Sequence, residues 1–276
     1  MERRLTKPVV TVVVIVALLG GAIYYGAYHL LKRTEPFALG EHCLVKTPEG
    51  TLDIDIEQAQ VAATVAAVAA RRKLPERALQ IAYVTAIQES KLANLPYGDR
   101  DSVGVFQQRP SQGWGTPEQL QDPVYATRKF FAALEKVKHY RTIPLHDAAQ
   151  AVQRSADGSA YAEHEQSAKI LSAAFTGRVP QAVHCWYPPP AKPVKPQPET
   201  ARKQLVRALG AEAADKRGWL VAAWYVAHAQ KYGLREVRFE GVAWTAAAGH
   251  DGWRKEPKPT DAKPADSKPT GAVQVA

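Results

Sequence analysis

The run LQIAYVTAIQES at residues 79–90 limits the fold more than any other stretch of this chain. Read at 100° per residue, its polar positions are few (Gln80, Thr85, Gln88 and Glu89), and Leu79, Tyr83, Ala86 and Ser90 centre the most apolar stripe. Almost no face is left for water, so a helix here has to be enclosed by other elements. Pro75 suits the first turn of such a helix, which the pattern predicts over residues 76–90.

The flanking sequence offers the helices that could enclose it. Asp55 followed by Gln58 is a capping-box signature, opening an Ala/Val helix over 57–72 with Val61, Val65 and Val68 on one stripe. A third helix is predicted over 123–138, with Tyr125, Phe130, Phe131, Leu134 and Val137 on its apolar face. A fourth follows over 144–155 and a fifth over 160–175, ended by Gly177. Residues 34–50 read as a short polar stalk. The expected fold class is mainly α: a helical domain over 34–185, then a Pro-rich spacer over 186–200. A small α/β domain is expected over 201–254, with helices at 201–216 and 219–232 and short strands within 236–245. Residues 255–276 read as a disordered charged tail.

Residues 1–33 predict a cytoplasmic stub and a transmembrane anchor. Residues 9–31 contain no Asp, Glu, Lys or Arg, a run of about 23 residues that can cross the hydrocarbon layer as a helix. Tyr24, Tyr25 and Tyr28 fall near one interface, and Lys32-Arg33 stops the run. Secretion after cleavage of a signal at Gly20-Gly21-Ala22 is the alternative. The two cysteines, Cys43 and Cys185, lack metal or Cys-x-x-Cys spacing. They bracket the helical domain, so the expectation is one disulfide closing an extracytoplasmic body, with two unrelated buried thiols as the alternative. The net charge of +9 points to an anionic neighbourhood. No zinc-finger spacing, RNP-like run or basic heptad array accompanies it, and nucleic acid is not expected as a partner.

Candidate chemistry gathers where the central helix ends. Glu89 falls on the rim of the apolar stripe, in the last turn. Desolvation and the negative end of the helix dipole both disfavour its anion there, which suits a general acid. The loop over 91–117 that follows is long for a compact domain. Its Ser102, Gln107, Gln108, Arg109 and Gln112 suit sugar hydroxyl and acetamido groups, and Trp114 offers an indole face to a pyranose ring. Asp99 and Asp101 are candidates for a second carboxylate of a glycosidase pair, or else hold the loop in shape.

Gln88-Glu89-Ser90 followed by Ser102-Val103-Gly104-Val105-Phe106-Gln107 resembles the Glu-Ser … Gly-Leu-Met-Gln signature of lytic transglycosylases and goose-type lysozymes. The longer string QESKLANLPYGDRDSVGVFQQRPSQGWGT is similar to exported actinobacterial proteins of lysozyme-like type. The resemblance implies a lysozyme-like fold over about residues 55–185. It also implies Glu89 as general acid and then base on the bond between N-acetylmuramic acid and N-acetylglucosamine, and Gly104, Phe106 and Gln107 lining the saccharide groove. The family's later Tyr-Asn-x-Gly motif is missing; residues 150–154 stand where it would fall, and Tyr161 is the candidate replacement for its tyrosine. The expected partners are peptidoglycan glycan strands, the membrane and other cell-wall proteins. A non-catalytic peptidoglycan-binding domain is the alternative to an enzyme. No cofactor or metal is expected, since His164-Glu165 lacks a second helical His and no Gly-Lys-Ser/Thr follows the glycines.

Overall fold

The computed structural model describes residues 19–26, 40–153, 159–188, 194–246, 252–256 and 272–276. Residues 41–276 form one compact unit. In the preceding unit, residues 19–26 are helical. Most of the expected span at 9–31 lies outside the described residues, among which no helix is long and apolar enough to cross a membrane. Parts of the Pro-rich spacer and most of the charged tail also lie outside them.

The fold is mainly helical with two small antiparallel sheets, a mixed α+β architecture. From residue 42 the expected polar stalk is instead a hairpin, β1 (His42–Thr47) and β2 (Gly50–Ile54). Cys43 and Val45 alternate inward along β1. The alternation is short and broken by charged residues, so composition hides it. The strand β3 (Val183–Trp186) pairs antiparallel with β1 and aligns Cys43 with Cys185. The two cysteines form a disulfide across a sequence separation of 142. A cross-link over so long a loop stabilises the fold by about 5 kcal/mol in the chain-entropy model.

Helix α1 (Ile56–Arg71) begins with the capping box of Asp55 and Gln58. Helix α2 (Glu76–Ser90) is the central one, with nine residues buried from Ala78 to Ser90. Tyr83 lies wholly inside and donates to the carbonyl of Ala62, which ties α2 to α1. Around α2 pack α1, α4 (Pro123–Leu134), α5 (Leu145–Gln153) and α7 (Glu165–Phe175). A short α3 (Pro117–Leu120) leads into α4. The helix expected over 160–175 is broken by a turn at Glu163–His164, which leaves a short α6 (Ser159–Ala162) before α7.

The C-terminal half joins the same core rather than standing apart from it. Helix α8 (Pro198–Leu209) breaks at Gly210 and continues as α9 (Ala211–Lys216), because Gly210 at φ 91° leaves helical geometry. The apolar α10 (Gly218–Tyr232) packs on α1, and both contribute to one continuous hydrophobic cluster. Beside it β4 (Glu236–Phe239), β5 (Val242–Thr245), β6 (Trp253–Lys255) and β7 (Gln274–Val275) form a sheet in the order β6-β5-β4-β7. Trp244 is fully buried and donates to His184 Nδ1 at 3.0 Å, while Trp253 donates to the Val183 carbonyl at 2.9 Å. These indoles dock the second sheet on the first. A sequence reading of two domains misses this because an apolar helix does not announce which partner covers it.

Candidate active site

Glu89 occupies the last turn of α2, half-buried between exposed Gln88 and buried Ser90. The desolvation expected from the apolar helix is therefore only partial. Its Oε1 accepts a hydrogen bond of 2.7 Å from Tyr161 Oη on α6. Tyr161 is itself 2% exposed, so the bond fixes the carboxyl from the protein side. On the open side Glu89 lines a cleft of about 430 Å³ with Asp55, Glu57, Gln58, Gln88, Ser90, Lys91, Ala93 and Leu95.

The cleft exists because the start of α1 meets the end of α2. Gln58 Nε2 donates to the Lys91 carbonyl at 2.7 Å, and Glu57 Oε1 accepts from the Asn94 backbone at 3.0 Å. Lys91 and Leu92 both take left-handed backbone, φ 55° and 61°, turning the chain sharply out of α2. Asp55, Glu57 and Gln58 were legible only as a helix start. Their place opposite Glu89 is a tertiary fact with no local signal.

Of the residues expected from the sequence to act on or bind a sugar, only Glu89 lines this cleft. The loop groups are turned to one another and to the core. Asp101 accepts from Arg109 Nε at 2.7 Å and from the backbone and hydroxyl of Ser111 at 2.7 and 3.0 Å. The Arg109 guanidinium first, then the two Ser111 donors, hold the Asp101 carboxyl well below the usual carboxylate range. Asp101 thus staples the loop, the second of the two expected roles. Asp99 is exposed, with Arg100 3.8 Å away.

Except for Gln112, the remaining loop residues follow the same pattern. Ser102 is buried and donates to Gln107 Oε1 at 3.0 Å, while Gln107 Nε2 reaches the Gly104 carbonyl at 3.1 Å and the Tyr97 carbonyl at 3.3 Å. Gly104 has φ 80°, and a Cβ there would meet the Leu120 carbonyl oxygen at 2.4 Å, so only glycine fits. Phe106 stacks on Phe130 with ring centroids 4.5 Å apart, which makes it core and not groove. Gln108 is buried and donates to the Ala126 carbonyl at 3.4 Å. Trp114 is partly buried against the core, and Gln112 is exposed.

Two further contacts hold loop and helix together. Ser90 Oγ donates to the Val105 carbonyl at 2.7 Å, and Gln153 Nε2 from α5 donates to the Phe106 carbonyl at 2.8 Å. Gln153 lies in the 150–154 segment, but its role as a loop anchor had no sequence signal. Beyond Glu89, His164 Nε2 lies 2.8 Å from Gln88 Oε1 and extends the polar edge of α2. The arrangement presents one oriented carboxyl to an open cleft, beside a loop made rigid by its own polar groups. It can give and take a proton at a single position. Among the described residues no group of three or more His, Cys, Asp or Glu is placed to hold a metal.

Compared with known proteins, the chain matches no family model and no curated protein.

Proposed function

We propose that this protein cleaves the glycan strand of peptidoglycan at the N-acetylmuramic acid–N-acetylglucosamine bond, with Glu89 as the acid and then the base. The observation that carries the reading is the bond between Tyr161 and Glu89, which aims one carboxyl into an open cleft at the end of a buried helix. The resemblance of residues 88–107 to lytic transglycosylases and goose-type lysozymes supplies the substrate. A lysozyme-like arrangement of the helices around α2 is part of the same proposal. Glu89 protonates the glycosidic oxygen as the bond from C1 breaks; its carboxylate then removes the proton of the attacking hydroxyl. With Asp101 bound to Arg109 and Ser111, intramolecular attack by the sugar's own hydroxyl fits better than a two-carboxylate hydrolysis. Such attack needs one acid–base residue and no water nucleophile. The Cys43–Cys185 disulfide supports an extracytoplasmic body, and residues 9–31 a membrane anchor for it.

The test is digestion of purified peptidoglycan by the chain and by Glu89→Gln, with mass analysis of the products. Anhydro-muropeptides from the wild type, reduced about 10²-fold or more in the variant, are expected. Reducing ends would transfer the reading to hydrolysis. No products at all, or equal activity in Glu89→Gln, would leave a lysozyme-like domain that holds the glycan without cutting it.

A further inference from the structure

Four arginines from three helices converge on one side of the molecule, away from any role in the chemistry above. Arg71 and Arg72 end α1, Arg128 lies on α4 and Arg207 on α8. Arg71 Nη1 and Arg128 Nη2 donate to the same oxygen, the Arg207 carbonyl, at 2.7 and 2.8 Å. Sharing that acceptor sets two guanidinium groups side by side. Arg72 pairs with Glu135, and the Arg207 side chain pairs with Asp122. Two carboxylates therefore face four cations. Burial first, and then repulsion from Arg71, Arg207 and Arg72, pull Arg128 below the usual arginine range.

Capping α8 occupies Nη1 of Arg71, which also reaches the Val206 carbonyl at 3.5 Å, and Nη2 of Arg128, and leaves the other nitrogens of both forks to be accounted for. Each guanidinium carries five donors in a planar fork that matches phosphate geometry. Arg72 Nε is buried without a partner, a donor the fold leaves unsatisfied. Arg207 also borders a depression of about 320 Å³ with Gln204, Lys231 and Tyr232, room for the body of a ligand held by its anionic group.

We propose that Arg71, Arg72, Arg128 and Arg207 form a binding surface for a phosphate-bearing ligand. The phosphoryl oxygens take the forks of Arg72 and Arg128 and displace Glu135 and Asp122 from part of their pairing. The same chemistry serves a free phosphate or a phosphodiester-linked sugar polymer. The surface does not depend on Glu89 being catalytic.

The experiment is calorimetric titration of the 276-residue chain at near-physiological salt with inorganic pyrophosphate and, separately, with a glycerol phosphate polymer. Arg72→Gln and Arg128→Lys are each expected to weaken binding about fivefold, the second while keeping its charge, because the fork is lost. Glu135→Gln is expected to tighten binding by about the same factor, since it removes a competing carboxylate. That gain cannot come from misfolding, and melting temperatures check the other two variants. Stronger binding of the polymer, per phosphate, assigns the surface to a polymeric source; stronger binding of pyrophosphate assigns it to a free one. Binding that is absent with both probes, or unchanged by all three substitutions, overturns the proposal.

Discussion

Helices α2 and α10 are a matched pair in the sequence and opposites in the structure. Each runs fifteen residues and is buried over most of its surface. Each carries a polar titratable group among apolar neighbours in its C-terminal half, Glu89 in one and His228 in the other. Glu89 stands in the last turn and is half-buried at the cleft, whereas His228 stands a turn earlier and is 5% exposed, packed into the wall of the depression beside Arg207. The His228 ring stacks on Trp224 at 3.9 Å, and the Tyr232 ring lies 6.2 Å from both. Its Nδ1 lies 2.9 Å from the Trp224 carbonyl. A polar residue on an apolar helix is thus a site or a core element according to which turn it occupies, and the helix pattern is the same for both.

The largest expected effect breaks the pair by acid. Burial lowers the His228 imidazole to about 3, with Lys231 adding to the same direction and the Trp224 carbonyl opposing it. An unfolded histidine titrates near 6.5, so between these values the unfolded chain binds one more proton than the folded one. The stability that neutral His228 contributes is complete above about pH 6.5 and lost as pH falls toward 3. The loss is about 2 kcal/mol at pH 5 and more than twice that at pH 3. Urea unfolding of wild type and His228→Gln across this range measures it. A difference between the two that does not narrow on acidification would show that His228 is not the group that titrates.

On α2 the corresponding change acts on turnover. Tyr161→Phe removes the donor to Glu89 Oε1 while keeping the buried ring. It is expected to lower kcat on peptidoglycan about 10- to 100-fold, with KM little altered, because Tyr161 orients the carboxyl from behind. Asp99→Asn, at a side chain 91% exposed, is expected to leave kcat unchanged. Equal losses in both would move the catalytic pair into the loop. Wild-type turnover from Tyr161→Phe would remove the positioning role.

The central helix, the capping box at Asp55 and the cysteine pair were all legible because each rests on local pattern or on simple counting. The long loop was legible as an ordered feature, but not in its inner wiring. Ser102, Gln107 and Asp101 are the residue types that would grip a sugar, and they are equally the types that close a loop on itself. Composition cannot tell these apart; only the fate of each donor and acceptor can. The hairpin from His42 was missed because β1, paired with β2 on one side and cross-linked to β3 on the other, needs little hydrophobic alternation of its own. The cleft wall of Asp55 and Glu57 depends on how α1 crosses α2, which no spacing in the chain encodes.

The smallest effects sharpen the comparison at the helix ends. Both helices stop on a left-handed residue followed by a buried leucine: Lys91 (φ 55°) and Leu92 after α2, Gly233 (φ 63°) and Leu234 after α10. In both, the leucine N–H turns back on the helix, to the Ala86 carbonyl at 3.0 Å and the Ala229 carbonyl at 2.9 Å. Glycine is the unstrained choice for this position, and α10 has it. Gly233→Ala is expected to destabilise the fold by about 1–2 kcal/mol, since the left-handed backbone is strained for alanine and its Cβ would meet Val194 Cγ1 at 2.9 Å. Lys91→Gly is expected to do the reverse, raising stability by up to about 1 kcal/mol. The two changes are read by thermal melting. The lysine at the strained cap also has a second place: Lys91 lines the cleft beside Glu89, where a cation can face the substrate or the carboxyl. Lys91→Gly should therefore lower activity as it raises stability, whereas Gly233→Ala should lower stability alone. A Lys91→Gly protein that gains stability and loses no activity would reduce Lys91 to a cap and leave Glu89 and Tyr161 as the whole of the site.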